Sequence, residues 1–290
     1  MVVEVYKNEV EYMKRGIKYM IWIGFIILLL SLLLKIYHDT NYFKVKTLMI
    51  TSDQIQENQS ISILHLTDLH NKQFDEQNQR LLNKIKSLQT DIIVITGDVI
   101  DRDTEQMDDV LSFIEKVAAF NPDTYYVTGN HEWGNPLREK FFEGILKSGV
   151  HYLDNKNAAI EINNVLFQLA GIGGDSSTGH SDMEAALRGL DDRYFTILLA
   201  HAPEVIVNHY PQKVDLTLSG HTHGGQIRLP FIGAVIAPGQ GLFPEYDQGL
   251  FQINEQQQLY IDSGLGTSTL DIRLFNQSQM TLITVKGENG

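Results

Sequence analysis

Five short stretches of this 290-residue chain carry side chains that could share a cation. They are Asp68-Leu69-His70, Gly97-Asp98-Val99-Ile100-Asp101, Gly129-Asn130-His131-Glu132, the single His201, and Ser219-Gly220-His221-Thr222-His223-Gly224-Gly225. The last has two histidines one residue apart, with glycines on both sides. In an extended chain, side chains at i and i+2 share a face. Glycine lets the backbone turn sharply and come close to a neighbour. Two imidazoles held that way suit a metal. The chain contains no cysteine, so thiolate sites, disulfides and cysteine nucleophiles are excluded. Imidazole, carboxylate and amide oxygen remain, and they suit divalent ions such as Mn, Zn or Fe without selecting one.

Each stretch follows an apolar run of strand type. Residues 61–66 precede Asp68, 92–96 precede Asp98, 125–128 precede Asn130, 196–200 precede His201 and 216–218 precede His221. In open α/β sheets, sites form beyond the carboxyl ends of the strands, so the five ligand-bearing ends would converge. Amphipathic stretches lie between the runs. Leu81, Leu82, Ile85 and Leu88 fall at helical spacing within 78–88, as do Val110, Leu111, Ile114, Val117 and Ala118 further on. Two more helices are expected over 136–147 and 183–190. The alternation predicts an α/β layered domain. Residues 165–172 add a strand, and the tail adds strands at 250–253, 258–261, 271–275 and 280–285. Five of the ten histidines, His38, His65, His151, His180 and His209, lie outside these motifs and read as structural or surface residues.

Residues 19–34 hold no charge and are mostly Ile, Leu, Phe, Met and Trp. With Ile36 and Tyr37 beyond Lys35, the run 19–37 approaches the roughly 20 residues that a membrane span needs. Tyr19, Trp22 and Tyr37 sit where the interfaces would be, and Lys35 can snorkel outward. Apolarity on all sides argues against a buried core helix. Lys35-Ile36-Tyr37-His38-Asp39 offers no small-residue cleavage site for a signal peptide. We therefore expect an uncleaved anchor. Lys7, Lys14, Arg15 and Lys18 precede it, while Lys35, Lys44 and Lys46 follow. Four against three favours a cytoplasmic N-terminus and an extracytoplasmic main domain in the cell membrane. The expected organisation is a cytoplasmic segment 1–18, an anchor 19–37, a polar connector 38–59 with one strand at 45–50, and a domain over 60–290. The net charge of −13 argues against generic nucleic-acid binding. A phosphate substrate stays compatible, because bound metal supplies positive charge locally.

The order Asp-x-His, Gly-Asp-x-x-Asp, Gly-Asn-His-Glu, His, Gly-His-x-His resembles the calcineurin-like metallophosphoesterase superfamily over about residues 60–275. The stretch GHTHGGQIRLP from Gly220 to Pro230, with Gly264-Leu265-Gly266-Thr267-Ser268 and Arg273-Leu274-Phe275, is similar to its bacterial membrane-associated phosphodiesterase subgroup. That subgroup includes phosphodiesterases and lipid-sugar nucleotide pyrophosphatases. The resemblance implies a four-layer α/β/β/α sandwich of two mixed sheets. It also implies two divalent metal ions. Asp68, His70 and His223 would hold one, Asn130, His201 and His221 the other, and Asp98 would bridge them. His131 would be catalytic, beside the scissile phosphate. His221 and His223 would thus serve different ions, with Gly224 and Gly225 keeping bulk away from the mouth of the site. Asp103 after Asp101-Arg102 departs from the glycine usual in Ser/Thr protein phosphatases, and no tyrosine follows Asp98 as in purple acid phosphatases.

The implied reaction is hydrolysis of a phosphodiester or pyrophosphate by a bridging hydroxide. Two cations roughly 3.5–4 Å apart clamp the attacking and leaving oxygens of such a displacement. His131 would contact a phosphoryl oxygen or protonate the leaving group, and Asp101 would orient His131 or a metal ligand. The alternatives are a phosphomonoesterase and a non-catalytic metal-binding interaction scaffold, the latter disfavoured because every ligand position and His131 are filled. The anchor and the outside location suit a lipid-linked or a cell-wall phosphoester. The apolar segments Pro230-Phe231-Ile232-Gly233 and Gly241-Leu242-Phe243-Pro244 are expected to pack against the sheet rather than to meet an acyl chain.

Overall fold

The computed structural model describes residues 2–174, 177–207, 211, 213–268 and 270–288, with side chains from Glu11 onward. In chain order, the elements begin with α1 (Val2–Asn41), β1 (Lys44–Ser52), β2 (Ser60–Leu66), α2 (Gln79–Leu88), β3 (Ile92–Thr96) and α3 (Asp108–Phe120). Next come β4 (Thr124–Val127), α4 (Asn130–Gly134), α5 (Arg138–Lys147), β5 (His151–Tyr152), β6 (Lys156–Ile162) and β7 (Val165–Ile172). Then follow α6 (Met183–Leu187), β8 (Thr196–Ala200), α7 (Glu204–Val207) and β9 (Leu216–Ser219). The short strands β10 (Arg228–Leu229), β11 (Gly233–Ala234), β12 (Ile236–Ala237) and β13 (Gly241–Leu242) pair into two small ribbons. The chain closes with β14 (Gly249–Gln252), β15 (Gln258–Ile261) and β16 (Gln279–Gly287).

Two six-stranded sheets carry the domain, ordered β1-β16-β2-β3-β4-β5 and β14-β15-β9-β8-β7-β6. Both are mixed. In the first, β2 to β5 are parallel while β16 runs antiparallel to β2. In the second, β15, β9, β8 and β7 are parallel between the antiparallel edges β14 and β6. Every residue of β3 and β8 is buried, as continuous apolar runs require when both faces of a parallel strand are covered. The inner faces meet over Ile63, Ile92, Val94, Phe167, Leu169 and Leu199. Outside the first sheet, α2, α3 and α5 pack through Leu81, Ile85, Ile114, Val117 and Phe141. Outside the second, α6 and α7 pack through Ala186 and Ile206. The layers are therefore α/β/β/α.

α1 contains a stretch, Glu11–Asn41, long and apolar enough to cross a membrane, with mean hydropathy 2.4 and none of its most apolar window buried. The helix extends past the expected span at both ends. Only Tyr42 and Phe43 separate it from β1, which pairs along its whole length with β16. The strand expected within 38–59 is thus present, and its residues 44–52 are part of the first sheet. Segment 271–275 is not a strand. Leu274 makes one bridge, to Ile227, while Arg273 turns fully inward and Phe275 adopts φ 52°. Segments 230–233 and 241–244 do not pack against the sheet, because Phe231, Ile232, Leu242 and Phe243 are all exposed.

Candidate metal centre

The carboxyl ends of β2, β3, β4, β8 and β9 lead directly into the five motifs. Asp68, His70, Asp98, His221 and His223 all take φ between 45° and 69°. That left-handed region is costly for residues with a side chain, and it recurs at functional sites. It also replaces the extended picture of the His-x-His pair, since β9 stops at Ser219 and both histidines sit in tight turns. Two glycines make room for carboxylates. A Cβ at Gly129 would lie 2.2 Å from Asp98 Oδ1, and one at Gly220 would lie 2.1 Å from Asp68 Oδ2. Gly224 and Gly225 do not guard a mouth. A Cβ on Gly225 would strike Ala234 Cβ at 2.4 Å, so this glycine admits the ribbon that follows.

Three overlapping groups of possible ligands result, the donor atoms of each within 4.8 Å of one another. They are Asp68, His70 and His223; His70, Asp98 and His131; and Asp98, His201 and His221. His70 Nδ1 lies 2.6 Å from Asp101 Oδ1. Its Nε2 faces Asp68 Oδ1 and Asp98 Oδ2, each at 3.7 Å, buried and without a hydrogen-bond partner among the described residues. A carboxylate on one ring nitrogen with the other lone pair turned to acidic oxygens is the posture of a metal-ligating imidazole. His201 repeats it. Its Nδ1 donates to the Thr96 carbonyl at 2.7 Å, and its Nε2 lies 3.0 Å from Asp98 Oδ2 and 3.2 Å from His221 Nδ1. Two ring nitrogens that close need a proton or a cation between them. His223 Nε2 stands 3.4 Å from Asp68 Oδ1. Asn130 Oδ1 is buried without a hydrogen-bond partner among the described residues, an acceptor that a cation would satisfy. This nitrogen and oxygen donor set fits divalent ions.

The electrostatics agree. Burial pulls the His70 imidazolium down, but Asp101 and Asp68 outweigh it and hold the group at about 10. His201 is likewise held at about 10, against burial, by Asp98. His223 is pushed down to about 3 by burial. Burial works against Asp68 and Asp98 as well, yet His223 with His70, and His201, keep them well below the usual carboxylate range. A field of buried carboxylates that favours a cationic imidazole would equally favour a bound cation. His131 is the more open neighbour. Its backbone N–H donates to Asp98 Oδ1 at 2.9 Å, its Nδ1 lies 3.3 Å from Asp101 Oδ1, and its side chain is 20% exposed against 0% for His70 and His201.

Two residues outside the expected set hold the loops. Glu132 is fully buried and accepts from the backbone N–H groups of Asp98, Val99 and Gly129 and from the Tyr126 hydroxyl. It locks the turn after β3 to the turn after β4. A charged residue closing Gly-Asn-His-Glu was its sole mark in the sequence. Arg273 is also fully buried, and burial pulls its guanidinium down to about 10. It donates to the carbonyls of Gly266, Ser263, His223 and Asn276, while Gly266 N donates to the Asp68 carbonyl at 2.6 Å. Arg273 thus braces both Asp68 and His223. Of the remaining histidines, His65 is a core residue pushed down to about 3 by burial. His38, His151 and His180 stack on Tyr42, Tyr125 and Trp133. His209 lies outside the described residues.

The profile of the calcineurin-like phosphoesterase family matches residues 61–225. The chain is 32% identical to the uncharacterised metallophosphoesterase YkuE of Bacillus subtilis, over 78% of this chain and 79% of that protein. It is 29% identical to an uncharacterised metallophosphoesterase of Aquifex aeolicus, over 86% and 94% of the two chains. It is 30% identical to a transmembrane protein with metallophosphoesterase domain of Danio rerio, over 72% of this chain and 48% of that one. All five motifs lie within the matched segment, and the chain belongs to the calcineurin-like phosphoesterase family: it is a metal-dependent phosphoesterase.

Proposed function

We propose that the chain hydrolyses a phosphodiester or pyrophosphate bond at a binuclear centre. In this reading Asp68, His70 and His223 hold one divalent ion, Asn130, His201 and His221 hold the other, and Asp98 reaches both. The strongest support is the way the groups link: His201 Nε2 and His221 Nδ1 are 3.2 Å apart beside Asp98, and His70 Nε2 faces both Asp68 and Asp98. Bound divalent ions supply charge at the phosphoryl oxygens and acidify the attacking water. The chain's own side chains do the rest. Asp101 keeps His70 Nδ1 and His131 Nδ1 turned towards itself. His131 Nε2 is then the atom that meets a phosphoryl oxygen or protonates the leaving oxygen.

Full-length protein loaded with Mn or Zn is expected to bind two ions per chain and to turn over a chromogenic phosphodiester. Faster turnover of a monoester would replace this reading with a phosphomonoesterase. Two bound ions with no turnover of either would leave a metal-holding scaffold. For His131→Ala we expect full metal content with the rate reduced roughly 10²–10⁴-fold, and loss of metal would instead make His131 a ligand.

We further infer that the domain is extracytoplasmic, from the charge bias around the span, which suits a lipid-linked or cell-wall phosphoester. The chain has no cysteine, so Leu146→Cys on the exposed side of α5 gives a single reporter. It is expected to react with a membrane-impermeant maleimide in intact cells. Reaction only after lysis would put the domain in the cytoplasm.

A further inference from the structure

Three phenylalanines share two costly properties. Phe231, Phe243 and Phe275 adopt left-handed backbone angles, with φ of 66°, 54° and 52°. They are also 109%, 65% and 44% exposed. A bulky residue in that region is an outlier, and such outliers point to function. Leu229, Ile232, Ile236, Leu242 and Leu270 are exposed as well. Isolated apolar side chains on a surface are ordinary, whereas a contiguous patch marks an interface.

The patch is continuous with the anchor. Arg228 N donates to the Leu274 carbonyl at 3.0 Å and Leu274 N to the Gln226 carbonyl at 3.1 Å, while Val235 N donates to the Ile227 carbonyl at 3.4 Å and Phe243 N to the Val235 carbonyl at 3.0 Å, so both ribbons and segment 270–275 are tied together. A groove of about 420 Å³ runs between Leu229, Phe231 and Phe275. The same segment is stitched to the end of α1. Arg273 N donates to Thr40 Oγ1 at 2.8 Å, Ser278 N donates to the Asp39 carbonyl at 3.0 Å, and Lys35 Nζ sits 5.9 Å over the Phe275 ring. Lys35 closes the uncharged run, and the exposed rings of Tyr37 and Tyr42 flank it on α1 and just beyond. Tyrosine and lysine at the end of a span mark the membrane–water boundary. The two-residue joint between α1 and β1 leaves the domain no slack to swing away from that level.

We propose that Phe231, Phe243 and Phe275, with Leu229 and Ile232, bed into the bilayer interface beside the anchor as a second membrane contact. The proposal rests on α1 spanning a membrane and not on the assignment of any metal ligand. Aromatic and aliphatic side chains at the headgroup boundary gain from burial there what they forfeit in water. The ribbon is also built on the metal motif. Arg228 Nη1 donates to the Gly224 carbonyl at 3.0 Å and to Asp247 at 2.7 Å, and the Asp247 carbonyl accepts from Thr222 Oγ1. Lipid contact therefore holds the His221–His223 turn at the bilayer surface, where the phosphoester of a membrane lipid would be met.

The absence of cysteine gives a direct test. Full-length Phe231→Cys carrying one environment-sensitive fluorophore is reconstituted in phosphatidylethanolamine–phosphatidylglycerol vesicles, with iodide supplied on both sides. Emission is expected to shift to the blue and to be quenched by nitroxide-bearing lipids but not by iodide. Labelled Leu146→Cys, 67% exposed on α5, is expected to show the reverse. Phe243→Cys, labelled separately, repeats the measurement should position 231 disturb its turn. Quenching by iodide and not by lipid overturns the proposal. A label shielded from both quenchers overturns it too, and assigns the patch to a second copy of the chain if the shielding fades on dilution into lipid. Turnover of a soluble diester on the same sample separates failure of this contact from failure of the enzyme reading.

Discussion

One carboxylate, Asp101, serves two imidazoles, with His70 Nδ1 at 2.6 Å and His131 Nδ1 at 3.3 Å. Replacing Asp101 by Asn keeps an acceptor but removes the charge that makes His70 a strong donor of its lone pair. Such partners typically matter 10–100-fold in metal affinity or activity, so Asp101→Asn is expected to lose about that much in chelator-competition titrations or in turnover. Unchanged values in both would mean that His70 needs no orienting partner. The metal motifs were legible in the sequence because few residue types can bind a hard or borderline cation, and these stood at the ends of apolar runs. Asp101 was legible as a residue that would orient His131 or a metal ligand, and the structure sets it beside both His131 and His70. Glu132 and Arg273 were not visible as supports, because their partners are backbone N–H and C=O groups that every residue carries.

At the scale of elements, Arg273 joins three pieces that are far apart in sequence: the tail, the turn carrying His223, and the end of α1. A lysine has a single ammonium where arginine has a planar fork, so it cannot reach all four carbonyls. Leaving buried acceptors unpaired costs about 1–3 kcal/mol. Arg273→Lys is therefore expected to lower the unfolding free energy by that order and to reduce metal content, because the His223 carbonyl is released. A variant as stable and as fully loaded as the wild type would show that Asn276, which also donates to the His223 carbonyl, suffices alone. Element boundaries followed the same logic of burial. β3 and β8 were plain because both faces are covered. β6 was not, because it is an edge strand whose Lys156 and Glu161 are exposed. Segment 271–275 read as a strand by composition, yet a buried arginine satisfied by loop carbonyls needs an irregular backbone. The ribbons after His223 were misjudged for a different reason: apolar loops usually pack inward, and a sequence does not say what solvent they face.

For the whole molecule, stability also depends on a buried carboxylate outside the candidate ligand set. Asp262 is fully buried, accepts from Gly264 N at 2.8 Å and from the Thr281 hydroxyl, and is raised above 3.8 by burial. A raised folded-state value means that the neutral acid suits the fold. Its contribution is fully present below about 3.8 and is lost as pH rises through the folded value. Asp262→Asn does not titrate, so the midpoint of the variant relative to the wild type is expected to climb as pH increases from 4 and then level off. A difference independent of pH would show that Asp262 is ionised in the fold without penalty. The sheet order has a consequence for how the chain is made. β16 lies between β1 and β2 and pairs with both. Chains emerge from the ribosome N-terminus first, so β1 appears just behind α1 and β16 after every other strand. Strands β1 and β2, neighbours in sequence, are joined in the sheet only through β16. Without β16, β1 has no strand to pair with and one edge of β2 stays open, so a stop codon before residue 279 would yield an unclosed domain rather than a shortened one.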